Sequence, residues 1–360
     1  MIKIIYLFLR EGLFNSLCFF FSKQSNLPKA DEIKKILIIR IDRIGDVILS
    51  TPALKAVRKR FPSAHISVLV SHGTQDLLLT CKYIDEIILF KNLSNIRKRR
   101  FDLAIDLHLD YPLKTALIAY LSGARYRLGF NVAGKGIFFN IKLPAPREDK
   151  SIIENTLNIA KILNASIEEK TPEISVIPEA EEYIRNYLIQ ENVLDNDLLV
   201  AIHPGGHYLT QQWLPDRFAE LANRIIKKYK AKIIIIGASK EKGIINQIEK
   251  NISDRAISLI NQPVRNIVAV IQRCNLLICN NSGPLHIATA LGTPTVSTMG
   301  PTIAKRWWPS GEKNIVIRKD IPCIGCNSGY CRIKTHDCMR LITVDEMFQA
   351  VEKQIGKWVK

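Results

Sequence analysis

The sequence predicts an α/β protein built from two doubly wound, Rossmann-like domains. Three observations carry that prediction. Residues 36 to 61 read as a buried strand, a glycine-bearing turn and a helix. The same grammar returns from Leu198 to Tyr229. A chain of 360 residues is also too long for one hydrophobic core, so two are expected.

The first stretch, ILIIRIDRIGDVILSTPALKAVRKRF, orders the rest. Ile36 to Ile39 are apolar β-formers and make a short buried strand. A turn follows with Gly45 and a carboxylate beside it, Asp46. Pro52 sits where a first helical turn tolerates it, and Ala53, Leu54, Ala56 and Val57 continue on helical spacing. Ligands of such domains bind beyond the carboxyl ends of the strands. Asp46 stands at that edge, as a catalytic carboxylate or as the cap of a helix or turn.

Composition narrows the partners. With 47% hydrophobic residues the chain is globular rather than disordered. A formal charge of +17 implies an acidic partner. There is no aromatic-interleaved basic motif and no helix-turn-helix or zinc-finger spacing, so phosphorylated sugar or lipid fits better than nucleic acid. Residues 4 to 21, IIYLFLREGLFNSLCFFF, are apolar but broken by Arg10, Glu11 and Asn15. They match neither a secretory signal nor a spanning helix of about 20 apolar residues. An amphipathic helix lying on a membrane surface is the better match, with a helix docked on the first domain as the alternative. The expected location is the cytoplasm, with a peripheral membrane contact as an option.

Taken in order, strands follow at His65 to Val70, Glu86 to Phe90, Phe101 to His108 and Tyr126 to Phe130. The basic run Arg97 to Arg100 reads as a solvated helix face. Strands alternating with helices mean a parallel sheet covered on both faces. Composition shifts near Pro144 to Lys150, a helix follows from Ile152 to Asn164, and Pro172 and Pro178 punctuate the passage to the second half. The expected segments are 1–30, 31–175, 176–342 and a closing helix in 343–360.

The second domain repeats the pattern. LLVAIHPGG (Leu198 to Gly206) is a buried strand ending in a glycine pair, where backbone amides can approach a phosphate. Helices are expected at Glu179 to Gln190, Phe218 to Tyr229 and Ile267 to Arg273, with a strand at Lys232 to Gly237. NLLICNNSGPLHIATALGTPTV (Asn275 to Val296) is the densest signal. A strand runs out at Cys279, Asn280 to Gly283 make a tight turn, Pro284 opens a helix, and Gly292 ends it. Exposed amides and the Ser282 hydroxyl at that helix start suit an anion. An ordinary helix capped by Asn281 or Ser282 is the plain alternative.

The stretches RIGDVILSTPAL, HPGG, NNSGPLHIATALGTPTVSTMGPT and CMRLITVDEM resemble glycosyltransferase family 9, the lipopolysaccharide heptosyltransferases. They fall in the family's order over most of residues 33 to 350. The resemblance implies a GT-B fold, two Rossmann-like domains facing across a cleft, with the nucleotide sugar held by the second. It implies transfer of heptose from ADP-heptose to the inner core of lipopolysaccharide or Kdo-lipid A, with inversion, no cofactor and no metal. Asp46 then matches the family's catalytic base, with Gly45 beside it. His203, Gly205 and Gly206 match the loop near the donor phosphates. Glu241 falls near an acidic position that contacts the nucleoside, and Ser282, Gly283, Pro284 and His286 match the family's NDSGPxH motif. His286 is equally a helix residue bonded to a backbone carbonyl.

Two positions depart from the family. Asn281 replaces an Asp that contacts donor-sugar hydroxyls, and Gln211 replaces a Lys that contacts phosphate. Lys240 or Lys305 could supply the missing cation. These departures leave room for another nucleotide sugar, or for a non-catalytic homologue that binds sugar nucleotide or lipopolysaccharide. A Rossmann oxidoreductase is disfavoured, because no G-x-G-x-x-G turn follows the first strand. Cys323, Cys326, Cys331 and Cys338 have spacing C-x₂-C-x₄-C-x₆-C. They are candidate ligands for a structural zinc, with reduced thiols in a loop as the default. Thr343 to Trp358 reads as a helix with Val344, Met347, Val351 and Ile355 on one face, placed to cross back over the first domain.

Overall fold

The computed structural model describes residues 6, 7, 9–14, 16 and 25–356. The chain divides into two compact units, Met1–Pro172 and Glu173–Lys360. Apolar strands buried on both faces build a parallel sheet in each. In the first unit the strands are β1 (Lys35–Ile39), β2 (His65–Val70), β3 (Glu86–Leu89), β4 (Leu103–Asp106), β5 (Tyr126–Phe130) and β6 (Ile141–Leu143), in the order β3-β2-β1-β4-β5-β6. In the second they are β7 (Leu199–His203), β8 (Lys232–Gly237), β9 (Ile257–Ile260), β10 (Leu276–Asn280), β11 (Thr295–Thr298) and β12 (Asn314–Ile317), in the order β12-β11-β10-β7-β8-β9. Both orders are the doubly wound 3-2-1-4-5-6 arrangement. The winding reverses between β1 and β4 in one unit and between β7 and β10 in the other.

In the first unit α1 (Ile44–Ile48), α2 (Thr51–Arg60), α3 (Leu113–Leu121) and α4 (Ile152–Ile162) accompany the sheet. Gly45 and Asp46 therefore lie in a short helix rather than a turn, since Val47 N–H and Leu49 N–H bond back to Arg43 and Gly45. Ser151 and Glu154 cap α4 reciprocally. Leu37, Ile39, Leu69, Ala104 and Phe139 form part of this unit's core. Within the apolar N-terminal segment, residues 1–5, 8, 15 and 17–24 lie outside the described residues, so the predicted membrane-surface helix is only partly visible. Its described residues are helical. Arg10 there is buried, donating to the carbonyls of Ala133 and Tyr111 at 2.8 Å each. Among the described residues no helix is long and apolar enough to cross a membrane.

The second unit carries α5 (Pro178–Gln190), α6 (Pro215–Tyr229), α7 (Lys242–Asn251), α8 (Val264–Arg273), α9 (Gly283–Leu291), α10 (Ala304–Trp307), α11 (Asp337–Arg340) and α12 (Val344–Ile355). The closing helix was expected to cross back over the first domain. Its apolar face, Met347, Val351 and Ile355, joins Trp213, Phe218 and Met339 in the second unit's own core, which gives it the packing role.

Candidate active site

Two clusters of polar side chains lie at the two points where strand order reverses. In the first unit, β1 ends at Ile39, opposite Asp106 at the end of β4. The loops that follow carry Arg40, Asp42 and Asp46 on one side and His108 on the other. Arg40 is buried and held by two carbonyls, its Nε donating to Asp46 O at 3.1 Å and one terminal nitrogen to Leu107 O at 2.7 Å. The same guanidinium approaches Asp42 Oδ2 at 3.1 Å and Asp46 Oδ1 at 3.5 Å. Burial, reinforced by the like charge of Asp42, pushes the Asp46 carboxyl up to about 6, against the pull of Arg40. Asp46 does not cap a helix with its side chain. It is a buried carboxylate beside a second carboxylate, at the edge where α/β ligands bind.

Behind this pair lies a wholly buried ion pair, Lys135 Nζ to Asp106 Oδ2 at 3.0 Å. Burial alone would raise the Asp106 carboxyl, but Lys135 and His108 outweigh it and hold the group well below the ordinary range. His108 lies between carboxylates, Nδ1 at 3.3 Å from Asp106 and Nε2 at 3.4 Å from Asp42. Sequence reasoning missed Arg40, Asp42, Asp106, His108 and Lys135. An acidic residue closing the apolar run LAID was the available signal for Asp106.

In the second unit the cluster is built mainly from neutral groups. Asn280, the last residue of β10, is fully buried and uses its whole amide. Its Oδ1 accepts from Trp213 N–H at 3.0 Å and Thr298 Oγ1 at 2.7 Å, and its Nδ2 donates to Pro204 O at 2.8 Å and Gly205 O at 3.0 Å. It thereby fastens the loop after β7, and it too was missed. His203 ends β7, with Nδ1 3.1 Å from Ser282 Oγ and Nε2 3.6 Å from Glu241 Oε2. Glu241 also accepts from Ala238 N–H at 2.8 Å. Burial raises its carboxyl, but the hydrogen bond and charge of His203 prevail and keep it low. Glycine is required at 205, because a Cβ there would run into the Glu241 carboxylate. Gly206 packs against Gln211.

Ser282 occupies the N-cap position of α9 yet makes no capping bond with its side chain. Its hydroxyl turns to His203 and the Asn280 carbonyl, so the helix start, Gly283 and Pro284, is not the ordinary capped one. Asn281 donates to Trp307 O at 3.3 Å. His286 is buried in α9, 5.8 Å from the Trp307 ring, with Nδ1 lacking a hydrogen-bond partner among the described residues. Burial pulls it down to about 4, so it is neutral near pH 7. Gln211 is committed to its own loop and to Thr302 after β11. Its Oε1 accepts from the backbone of His207 and Tyr208 at 3.1 Å each, and its Nε2 donates to Thr302 Oγ1 at 3.0 Å. Lys240 reaches within 3.9 Å of Glu241, and Lys305 is exposed on α10.

The zinc candidate is not formed as a site. Among the described residues no group of three His, Cys, Asp or Glu side chains is arranged to hold a metal ion. Cys326 is exposed, Cys323 and Cys331 are half-buried, and Cys338 is buried at the start of α11. Burial, then the neighbouring Cys323, Cys326 and Cys331, push the Cys338 thiol up to about 11, which makes it inert as a thiolate.

Comparison with known proteins gives a consistent set of likenesses. The model of "Glycosyltransferase family 9 (heptosyltransferase)" matches residues 89–336. Lipooligosaccharide heptosyltransferase 2 of Campylobacter jejuni is 22% identical over 326 residues, 89% of this chain and 98% of that one. The crystal structure of a family 9 glycosyl transferase from Veillonella parvula superposes with a TM-score of 0.81 at 21% identity, covering 93% of this chain and all of that one (100%). The structure of Escherichia coli ADP-heptose LPS heptosyltransferase II gives 0.77 at 21% identity, covering 90% of this chain and 99% of that one. The GT-B fold is shared with these structures.

Proposed function

The chain belongs to glycosyltransferase family 9, and from that membership we propose that it transfers heptose from ADP-heptose to the inner core of lipopolysaccharide or to Kdo-lipid A. The family makes it a glycosyltransferase. The choice of donor and acceptor rests on the names of its relatives, among them the E. coli ADP-heptose enzyme. The observation that carries the mechanism is the buried Asp46 carboxylate, raised to about 6 at the first reversal of strand order. It is ionised at neutral pH and more basic than an ordinary carboxylate, which suits a general base.

Asp46 takes the proton of the acceptor hydroxyl as that oxygen bonds to the anomeric carbon. The bond from that carbon to the β-phosphate oxygen breaks, ADP leaves as an anion, and the centre inverts. The amides at the start of α9 receive the developing phosphate charge, and the Ser282 hydroxyl, which otherwise bonds the Asn280 carbonyl, turns to join them. Glu241 and the His203–Gly206 loop hold the nucleotide. No metal enters this scheme. The reaction is placed at the cytoplasmic face of the inner membrane, where a chain of charge +17 meets an acidic lipid-linked glycan.

One observation favours a second reading, in which the donor is a different nucleotide sugar. Gln211 stands at the family's lysine position, carries no charge and is bonded to its own loop and to Thr302, so Lys240 or Lys305 would supply the cation for the pyrophosphate. The deciding experiment presents ADP- and UDP-sugars with Kdo-lipid A to the protein and to Asp46→Asn. Transfer from ADP-heptose, reduced roughly 10²–10⁴-fold in the variant, is expected. Transfer from another nucleotide sugar alone reassigns the donor. Undiminished turnover in the variant removes Asp46 from the role.

A further inference from the structure

The buried charges of the first unit form a chain that the scheme above does not use. Lys135 neutralises Asp106 at 3.0 Å, and Thr115 Oγ1 donates to the same Oδ2 at 2.8 Å. The backbone N–H of His108 donates to Asp106 Oδ1 at 3.0 Å, which fixes that carboxylate beneath the His108 ring. The ring then points its far nitrogen at Asp42 Oδ2, 3.4 Å away. That oxygen already faces Arg40, the cation Asp42 shares with Asp46. The other Asp42 oxygen is buried with no hydrogen-bond partner among the described residues.

Charge balance gives this order a meaning. Asp106 is matched by Lys135, while Asp42 and Asp46 compete for the single guanidinium of Arg40. Asp110, in the loop after β4, adds a further negative charge that bears on Asp46. Asp46 is buried and Asp42 half-buried, so ionising both leaves one of them without a counter-charge where solvation is reduced, which is costly. His108 is the remaining group facing Asp42 that can supply one.

We propose that His108 is a positioning residue: as an imidazolium spanning Asp106 and Asp42 it offsets the charge of Asp42 and thereby sets the pH at which Asp46 becomes a base. The inference rests on the reading of Asp46 as that base.

Titration of Asp46 by NMR, with carbon-13 at the aspartate carboxyl carbons and the signal assigned by its loss in Asp46→Asn, tests this without turnover. His108→Gln removes the offsetting charge, so the Asp46 midpoint is expected to rise by on the order of one pH unit. Asp42→Asn removes the repelling charge, so it is expected to fall by about as much. On the Asp42→Asn background, His108→Gln is expected to move it less. The acid limb of kcat/KM for transfer from ADP-heptose to Kdo-lipid A follows the same shifts. Should Gln not be accommodated, His108→Asn replaces it. Midpoints that stay put, or that move in one direction for both substitutions, overturn the inference while a dead Asp46→Asn keeps the base reading. Turnover surviving in Asp46→Asn overturns the base reading and this inference with it.

Discussion

The two units share a strand order but put opposite chemistry at the place where it reverses. Around the ends of β1 and β4 stand Arg40, Asp42, Asp46, Asp106 and His108, joined by Lys135 from between β5 and β6, a largely buried network of ionisable groups. After β7 and β10 the framework is an amide, Asn280, bonded on every side to neutral groups. One topology thus presents a titrating carboxylate in one unit and fixed dipoles in the other. The fold decides where chemistry can happen, and a few side chains at strand ends decide which chemistry it is.

The sharpest way to break this contrast is to remove one pin from each unit. Lys135→Met leaves Asp106 buried without its cation and is expected to destabilise the protein by about 3–5 kcal/mol in urea unfolding. Asn280→Ala leaves Trp213 N–H and the Pro204 and Gly205 carbonyls without their partner, and about 1–3 kcal/mol is expected. Equal losses would show that buried charge matters no more than buried amide, and the distinction between the units would fall.

A third measurement sharpens the contrast through pH. The Asp46 carboxyl sits at about 6 folded against an ordinary value of 3.8, so the folded state binds more protons in between. Its contribution is therefore favourable at low pH and is lost as pH rises through that window. Asp46→Asn is expected to be more stable than the parent at pH 7, by about 1–3 kcal/mol, and no more stable below about pH 4. A variant less stable at pH 7 would mean that the carboxylate is well paired after all.

Much of this was legible in the sequence, and the gaps have physical causes. Long apolar runs announced β1, β2, β7, β8 and β10, because a strand buried on both faces has a nearly unbroken run. β6, β9, β11 and β12 went unread. β6, β9 and β12 are edge strands of three or four residues, with some residues only partly buried, and β11 is the short, hydroxyl-rich run TVST. Asp46 was visible through its glycine and its place after β1, and Ser282 through the helix start. Arg40, Asp42, Asp106, His108 and Lys135 were not, because only the pairing of β1 with β4 brings them together. Lys135 is the extreme case, a lysine with no exposure at all in a polar-looking loop. Gln211 was read as a donor-site residue, and its bonds to His207, Tyr208 and Thr302 were not foreseen, since no sequence pattern shows where an amide spends its hydrogen bonds.

The position of Lys135 also ties one margin of the first sheet to its centre. It lies between β5 and β6, at the edge of the sheet, whereas the carboxylate it balances ends β4, next to β1. Until that edge docks, Asp106 has no cation and the cluster around Asp46 cannot close. Opening of the β5–β6 margin and loss of the cluster should then be a single cooperative event, with one shared protection against amide hydrogen exchange. A first unit without this margin would hold Asp106 beside Asp42 and Asp46 with its own cation missing.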